Sequence, residues 1–527
     1  MDATLDRIYA IRSAFPPEGL FADKDWLLSP EPFLIDAKLA EQLEKLGHRL
    51  NLFNRACNEL YQRSVSGKQP AWIADYLDRG KPPELVEFAR RKQFRADLPR
   101  VIRPDLVLTE DGFTIAELDT VPGGIGLTAW LNATYASFGT HDVLGGANGM
   151  VEGFQAIVGG SAEILVSKEA AVYRPEMQYL SRVAGDGAIR VHEAESFSPE
   201  GRGGGRESGG RSWASWRKLA GGKASLASDT PGTNPHSDST PAGVPEGSPA
   251  PAGADRVGTR EPGVLPPANI QQLARDQPPY SLPPPRPSGL SPITQPSALS
   301  LYRFFELFDL PNIPSAPAIM QAVADGTARI TPPFKPYLEE KLWFALFWLR
   351  PLREFWRREL SEQHFLELQK VIPYTWILDP QPLPQHAVIP GLEIQSFEEV
   401  KHFSQKQREL ILKISGFHET AWGSRSVVLS SDASQHEWES AITEALAEFP
   451  SHPHILQRFH KGRLVEQRFL SAAGQIETMR GRVRLCPYYF VIDGKAALRG
   501  ALATVCPADK KLLHGMKDAI MVPAAVS

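Results

Sequence analysis

A chain of 527 residues exceeds what one hydrophobic core serves, so two to four domains of roughly 150 residues are expected and a single small module is excluded. With 42% hydrophobic and 22% charged residues it has the composition of a protein that buries a large core, which excludes disorder along its whole length. The net charge of −4, from 57 Lys and Arg against 61 Asp and Glu, provides no global basic field, which argues against nucleic acid or an anionic membrane as a partner.

The three cysteines, Cys57, Cys486 and Cys506, are too few for a disulfide framework and point to a reducing compartment. The opening MDATLDRIYAIRSAF carries acids at Asp2 and Asp6 and no long apolar run, unlike a secretory signal, so a cytoplasmic location is expected. The most apolar window, Leu342 to Leu349, is less than half the ~20 residues of a spanning helix and is flanked by Lys341 and Arg350. It reads as a buried helix.

In chain order, residues 1–100 read as a helical region, with amphipathic stretches at Ala37 to Tyr61 and Pro83 to Phe94. The text LVLTEDGFTIAELDT then predicts a β-hairpin turning at Asp111-Gly112, followed by helix from Leu127 to Phe138. From Glu163 to Ala194 a strand, a helix starting near Pro175 and a second strand predict a βαβ unit. Residues 101–197 are therefore expected to form a hairpin-bearing α/β lobe. Residues 201–300 contain 15 Gly, 17 Pro and 13 Ser, and the segment 198–299 is expected to be disordered. Its polyproline-prone runs suit a protein partner's aromatic groove, although a tolerated surface insertion is the weightier reading. Residues 300–527 are expected to form further lobes: helical text through YRFFELFDL and PAIMQAVADG, a long helix from Leu338 broken at Pro351, then an α+β tail with strands at ILKISG, SVVLS, HILQRF and from Arg482 to Val505. The whole is expected to be an α+β or α/β multi-lobed protein around a shared cleft.

Signatures of P-loop transfer, α/β-hydrolases, zincins and thiolate zinc sites are missing from the sequence. The fragment Gly124-Ile-Gly126 partly matches a dinucleotide fingerprint, but the acidic ELDTVP ahead of it would repel a pyrophosphate. His452, His454 and His460 lack a nearby acid or cysteine and read as surface or strand-edge histidines, and Trp343, Phe344, Phe347 and Trp348 read as core.

The informative text is RPDLVLTEDGFTIAELDTVPGGIG. Glu117 and Asp119 are two apart on a strand and share a face, with Asp105 on the other hairpin arm and Arg103 two residues before it. Carboxylates so placed repel unless a hard cation lies between them, and Mg²⁺ shared with nucleotide phosphates is the common solution; a solvated polar face is the alternative. Lys413 lies inside an apolar strand, where a phosphate is a fitting partner. The loop that follows it carries Gly416, Gly423, Ser424 and Arg425, suited to folding amides over phosphates, Gln457 sits at strand spacing in HILQRF, and Lys341 starts the apolar helix.

In this order the motifs resemble the circularly permuted ATP-grasp enzymes, and among them the synthetase domain of glutathionylspermidine synthases. RPD and ELDTVP match that family's Arg-x-Asp and Glu-x-Asn elements, LKISG with GFHETAWGSR matches a lysine strand with its glycine loop, and the acidic motif precedes both lysines, as the permutation requires. PGGIG resembles the Pro-Ser-Gly-Ile-Gly of another permuted branch. The resemblance implies that Asp105, Glu117 and Asp119 hold Mg²⁺ and that Arg103 steadies the transferring phosphoryl. It implies further that Lys341 and Lys413 contact ATP, that the 416–425 loop, with Arg425 acting in catalysis, closes over the phosphates, and that Gln457 lies at the adenine. Asp119 departs from the family's Asn, and no polyamine or glutathione contact has a motif in this chain. The implied activity is ATP-dependent joining of a small-molecule carboxylate to an amine or thiol through an acyl-phosphate. An ATP-binding protein without ligase activity and an ATP-grasp phosphotransferase are the alternatives.

Overall fold

The computed structural model describes residues 3–16, 21, 25–185, 187–199, 298–384, 387–421, 425–510, 513 and 518–527, all within one structural unit. The expected disorder and docking role of 198–299 fall on residues almost wholly outside these, as do Gly423 and Ser424 of the glycine loop.

Sixteen strands are described. The first eight are β1 (Phe33–Ile35), β2 (Val101–Thr109), β3 (Gly112–Asp119), β4 (Asp142–Val143), β5 (Ala162–Val166), β6 (Ile189–Glu193), β7 (Leu299–Phe304) and β8 (Ala328–Thr331). The rest are β9 (Thr375–Ile377), β10 (Leu410–Ile414), β11 (Val428–Leu429), β12 (His454–Arg458), β13 (Val465–Leu470), β14 (Ile476–Ile492), β15 (Lys495–Pro507) and β16 (Ile520–Val526). They form three sheets. Eight strands join in the order β1-β16-β15-β14-β2-β3, with β13 added to β14 and β4 to β16; four are ordered β11-β10-β12-β9, and four β6-β5-β7-β8. This is a mixed α/β architecture of several sheets, as the sequence predicts at that level.

The hairpin forms with one difference at its tip. Thr109 pairs with Gly112, so Glu110 and Asp111 make the turn and Gly112, at φ +146°, opens β3. The βαβ unit is also present: β5 and β6 pair in parallel around the helix Arg174–Val183.

Three expectations fail for identifiable reasons. YRFFELFDL is not helical: β7 and a 3-10 turn at Leu307–Asn312 take its place. A parallel strand covered on both faces reads as a continuous buried run, here Leu301 to Phe304, which periodicity does not separate from a buried helix. Because β7 and β8 complete the sheet begun by β5 and β6, the lobe expected to stop at 197 continues to 331, and a boundary at 300 is incorrect. Nor is the first hundred residues' region purely helical, since β1 pairs in parallel with β16 near the far end of the chain. The long helix breaks where Pro351 demands it, into Leu342–Trp348, a 3-10 turn at Arg350–Leu352 and Arg353–Leu360.

The principal core lies between the eight-stranded sheet and the helix Ala37–Val65. Asp36 caps that helix by accepting from Leu39 N at 2.7 Å, and Leu43, Leu50, Phe53 and Leu60 turn its apolar stripe inward. Trp343, Phe344 and Phe347 join this core as expected, while Trp348 stacks on Tyr374 at 4.6 Å. No described helix is long and apolar enough to cross a membrane.

The glycines of Gly124-Ile-Gly126 serve packing. Gly124 precedes the helix Ile125–Ala136 at φ +86°, and a Cβ on Gly126 would lie 2.1 Å from the backbone oxygen of Glu176 in the helix Arg174–Val183. Two helix backbones cross there with no room for a methyl group. Gly126→Ala is therefore expected to destabilise the chain by about 3 kcal/mol or more, read as a lower urea midpoint, and a midpoint within error of the parent would contradict this packing.

Candidate functional site

Strand register assembles the site. In β2 and β3, Arg103 lies opposite Asp119 and Asp105 opposite Glu117, and directly opposed residues point to one face, so four charged side chains share it. A bulge at Ala116, between the Asp105–Glu117 and Leu106–Ile115 pairs, sets this face apart from the tip of the hairpin. On the other side of β2, β14 places Arg484 opposite Val107, and alternation turns Arg482, Arg484, Cys486 and Tyr488 to the same face. An apolar β14 would have left Asp105 buried without its second cation.

Above this face is a cavity of about 740 Å³. Its lining includes Arg103, Asp105, Glu117, Asp119, Lys413 and Gln457, the site residues expected from sequence that reach it directly. Lys413 projects from β10 of the second sheet and donates to Ala116 O at 2.8 Å and to Gln457 Oε1 at 3.0 Å. Lys341, just before the helix Leu342–Trp348, reaches Glu117 Oε1 at 2.9 Å and Ala421 O at 2.8 Å. Two lysines 72 positions apart in sequence thus meet one arm of a hairpin that lies more than 200 residues before either.

The charges are mutually adjusted. Arg103 lies 2.9 Å from both Asp105 Oδ1 and Asp119 Oδ2 and donates to Gly123 O at 3.0 Å. Asp105 also takes Arg484 at 3.3 Å and the Cys486 thiol at 3.3 Å, so both its oxygens are engaged. Burial alone would raise its pKa, but Arg103 and Arg484 outweigh burial and hold the carboxyl below its ordinary value. Glu117 behaves likewise, with Lys341 and Lys413 outweighing burial. Asp119 goes the other way: burial raises it, Arg103 compensates in part, and the nearby Glu117 and Asp105 push it further up. Burial brings Lys413 down to about 8 despite Glu117, with Lys341 adding repulsion. Burial likewise lifts the Cys486 thiol to about 12, which makes it a packing group and not a nucleophile.

Among the described residues, no three His, Cys, Asp or Glu side chains stand close enough to hold a metal alone. The donor chemistry nevertheless fits Mg²⁺ shared with a phosphate ligand, because that ion takes one or two carboxylates and completes its shell with phosphate and water. Glu117 and Asp119 are the candidates, with side chains 35% and 26% exposed; Asp105, at 7% and with both oxygens occupied, is better placed to fix Arg103.

Other expected residues take different positions. Gln457 lines the cavity and is buried, and its side chain bridges Lys413 and Thr375 Oγ1, the latter at 3.3 Å, so it orients the lysine. Gly416 packs against the chain, where a Cβ would lie 2.8 Å from Glu339 O. Arg425 is not among the cavity's lining residues; it pairs with Glu169, which is, at 3.2 Å. His454 is not a surface residue: it opens β12, is buried, and lies 3.7 Å from Glu448. Sequence reasoning missed Arg482, Arg484, Tyr173 and Glu306, which also line the cavity. The alternation in RVRLC signals the two arginines, but only the pairing of β14 with β2 says what they face.

No protein-family model matches the chain, and no curated protein matches it in sequence. Solved structures with a similar arrangement include a glutathione synthetase-like effector from Globodera pallida in its apo form, at 12% identity and TM-score 0.44, covering 100% of this chain and 96% of that one. A chain provisionally named as a gamma-glutamylcysteine synthetase from Methylobacillus flagellatus is similar at 12% identity and TM-score 0.35, covering 92% and 87%. With TM-scores below 0.5, neither similarity bears on fold or function.

Proposed function

We propose that the chain is an ATP-dependent ligase of the circularly permuted ATP-grasp type, joining a small-molecule carboxylate to an amine or thiol through an acyl-phosphate. The observation that carries this reading is the convergence of Lys341 and Lys413 on the Glu117 arm of β3, on the hairpin face that also bears Arg103, with Lys413, Glu117 and Arg103 lining one cavity. Two ammonium groups, a guanidinium and neighbouring carboxylates gathered at one cleft are what phosphoryl transfer requires, since its barrier lies in charge placement and not in a protein nucleophile.

In this reading a carboxylate oxygen of the substrate attacks the γ-phosphorus of ATP, the bond to the bridging oxygen breaks and ADP departs. The amine or thiol then attacks the acyl carbon, loses its proton and expels inorganic phosphate. Lys341 and Lys413 would neutralise the phosphate oxygens, exchanging part of their present hold on Glu117 and Ala116 O for the nucleotide. Arg103, kept in place by Asp105, would face the transferring group. Mg²⁺ held by Glu117 and Asp119 would add neutralisation of the phosphate chain.

Isothermal titration with the non-hydrolysable analogue AMP-PNP tests this. Binding is expected to require Mg²⁺ and, at pH 8, to take up a proton, because an anion beside Lys413 raises an ammonium that burial holds at about 8. Titrations in buffers of different ionisation enthalpy read the uptake. No binding would remove the proposal. Binding without ADP release on any carboxylate pool would favour a nucleotide-binding protein, and a phosphorylated product without amide or thioester a phosphotransferase.

A further inference from the structure

No residue of the first hundred is among those that line the cavity, yet one of them reaches the elements that carry both lysines. Lys81 has a side chain 1% exposed and forms an ion pair with Glu340 Oε1, itself 2% exposed. The other oxygen of Glu340 accepts from the Ser415 hydroxyl. Ser415 in turn accepts at Oγ from Leu342 N at 2.9 Å and at its carbonyl from Lys341 N at 2.9 Å. Glu340 thus directly precedes Lys341, and Ser415 follows Lys413 by two residues.

The surrounding chain leaves this arrangement little freedom. Gly80, at φ +69°, presses against Ser451, where a Cβ would lie 2.1 Å from the backbone oxygen. Ser415 N donates to Pro453 O at 2.9 Å, and Gly416 packs against Glu339 and Glu340 so closely that a Cβ would meet the Glu340 carboxyl at 3.0 Å. The Lys81 ammonium also lies 5.7 Å from the ring centre of Phe417, whose backbone is left-handed at φ +47°. A buried ion pair contributes little net stability against an apolar pair of similar volume, and here its contacts through Ser415 tie Lys81 to the backbone at Lys341 and Leu342.

We infer that Lys81, Glu340 and Ser415 form a buried positioning relay, through which the N-terminal helical region sets the spacing between Lys341 and the segment Gly416–Ala421 and thereby the affinity for ATP. The three are positioning residues, since none touches the cavity. The consequence for ATP rests on the proposed function; the positioning itself does not.

The test is the double variant Lys81→Met/Glu340→Gln, which removes both charges while keeping side-chain volume and an acceptor for Ser415. Its melting temperature is expected to stay within a few degrees of the parent, and its kcat within about threefold. KM for ATP should rise about tenfold, and amide hydrogen exchange over Gly416–Ala421 should quicken by a similar factor. Lys81→Arg, which keeps the charge, should recover much of the lost affinity. A stable double variant with parental KM and parental exchange would overturn the relay. Should the double variant fail to fold, Ser415→Ala, which keeps the buried ion pair and removes only the hydroxyl that links Glu340 to Leu342 N, carries the same readouts. Should the parent bind no ATP, the functional reading fails, and the exchange rate over Gly416–Ala421 still decides the relay for or against.

Discussion

Lys413→Met is expected to lower ATP turnover by about 10²–10³-fold, the usual consequence of removing one preorganised charge from a transition state, while leaving the chain at least as stable at pH 7. The second half of this expectation rests on burial, the largest influence on the lysine. Burial lowers its pKa from 10.5 to about 8, so the folded state binds fewer protons than the unfolded chain between those values. Stability from this group therefore rises as pH climbs from 8 toward 10.5 and is lowest below 8, where the ammonium is charged in a dry site. Methionine removes that penalty and gives up the hydrogen bonds to Ala116 O and Gln457, a smaller opposing loss. Glu117→Ala should abolish turnover as well, through loss of the Lys341 partner. Turnover within tenfold of the parent in either variant, with folding intact, would sink the assignment of this cleft to phosphoryl transfer.

Much of the site was legible because its chemistry is local in sequence. The Asp-Gly signal and the apolar alternation around it predict the hairpin, and a period of two puts Glu117 and Asp119 on one face without any structure. A lysine in an apolar strand calls for an anionic partner, whereas Lys413 bonds the neutral Ala116 O and Gln457 and feels Glu117 only through its charge. What sequence does not supply is register between distant strands. That Arg484 neutralises Asp105 depends on β14 lying beside β2, some 380 residues apart, and that Gln457 faces Lys413 depends on Ile411 pairing with Gln457 across β10 and β12. The same limit explains β7: Leu301 to Phe304 read as helix because full burial erases the alternation that would mark a strand, and its membership of the β5–β6 sheet is visible only once the 198–299 stretch is bridged. Glycine was ambiguous for a related reason. Gly126 and Gly416 sit in motifs that suggest phosphate loops, and both are required by a close backbone approach.

Arg103→Met should destabilise the chain by about 3–5 kcal/mol, more than any surface charge could, because it strands two carboxylates on a buried face. The two would not suffer equally. Asp105 retains Arg484 and the Cys486 thiol, whereas Asp119 would keep only its contact with Val121 N at 2.8 Å and the repulsion of Glu117 and Asp105. Its carboxyl, already raised by burial, would move higher, so the variant should recover stability as pH falls through that raised value, where the folded state takes up the proton that the unfolded chain does not. Adding Asp119→Asn, the residue that the resembling family carries there, should restore most of the loss at neutral pH by removing the stranded charge, and should do so without restoring turnover if Arg103 faces the transferring phosphoryl. Urea midpoints of the single and double variants at pH 5 and pH 8, with ADP release measured alongside, separate the two roles. A pH dependence of the midpoint identical to the parent's and to the double variant's would mean that Asp119 does not depend on Arg103, and recovered turnover in the double variant would reduce Arg103 from a group at the reacting centre to a counter-charge.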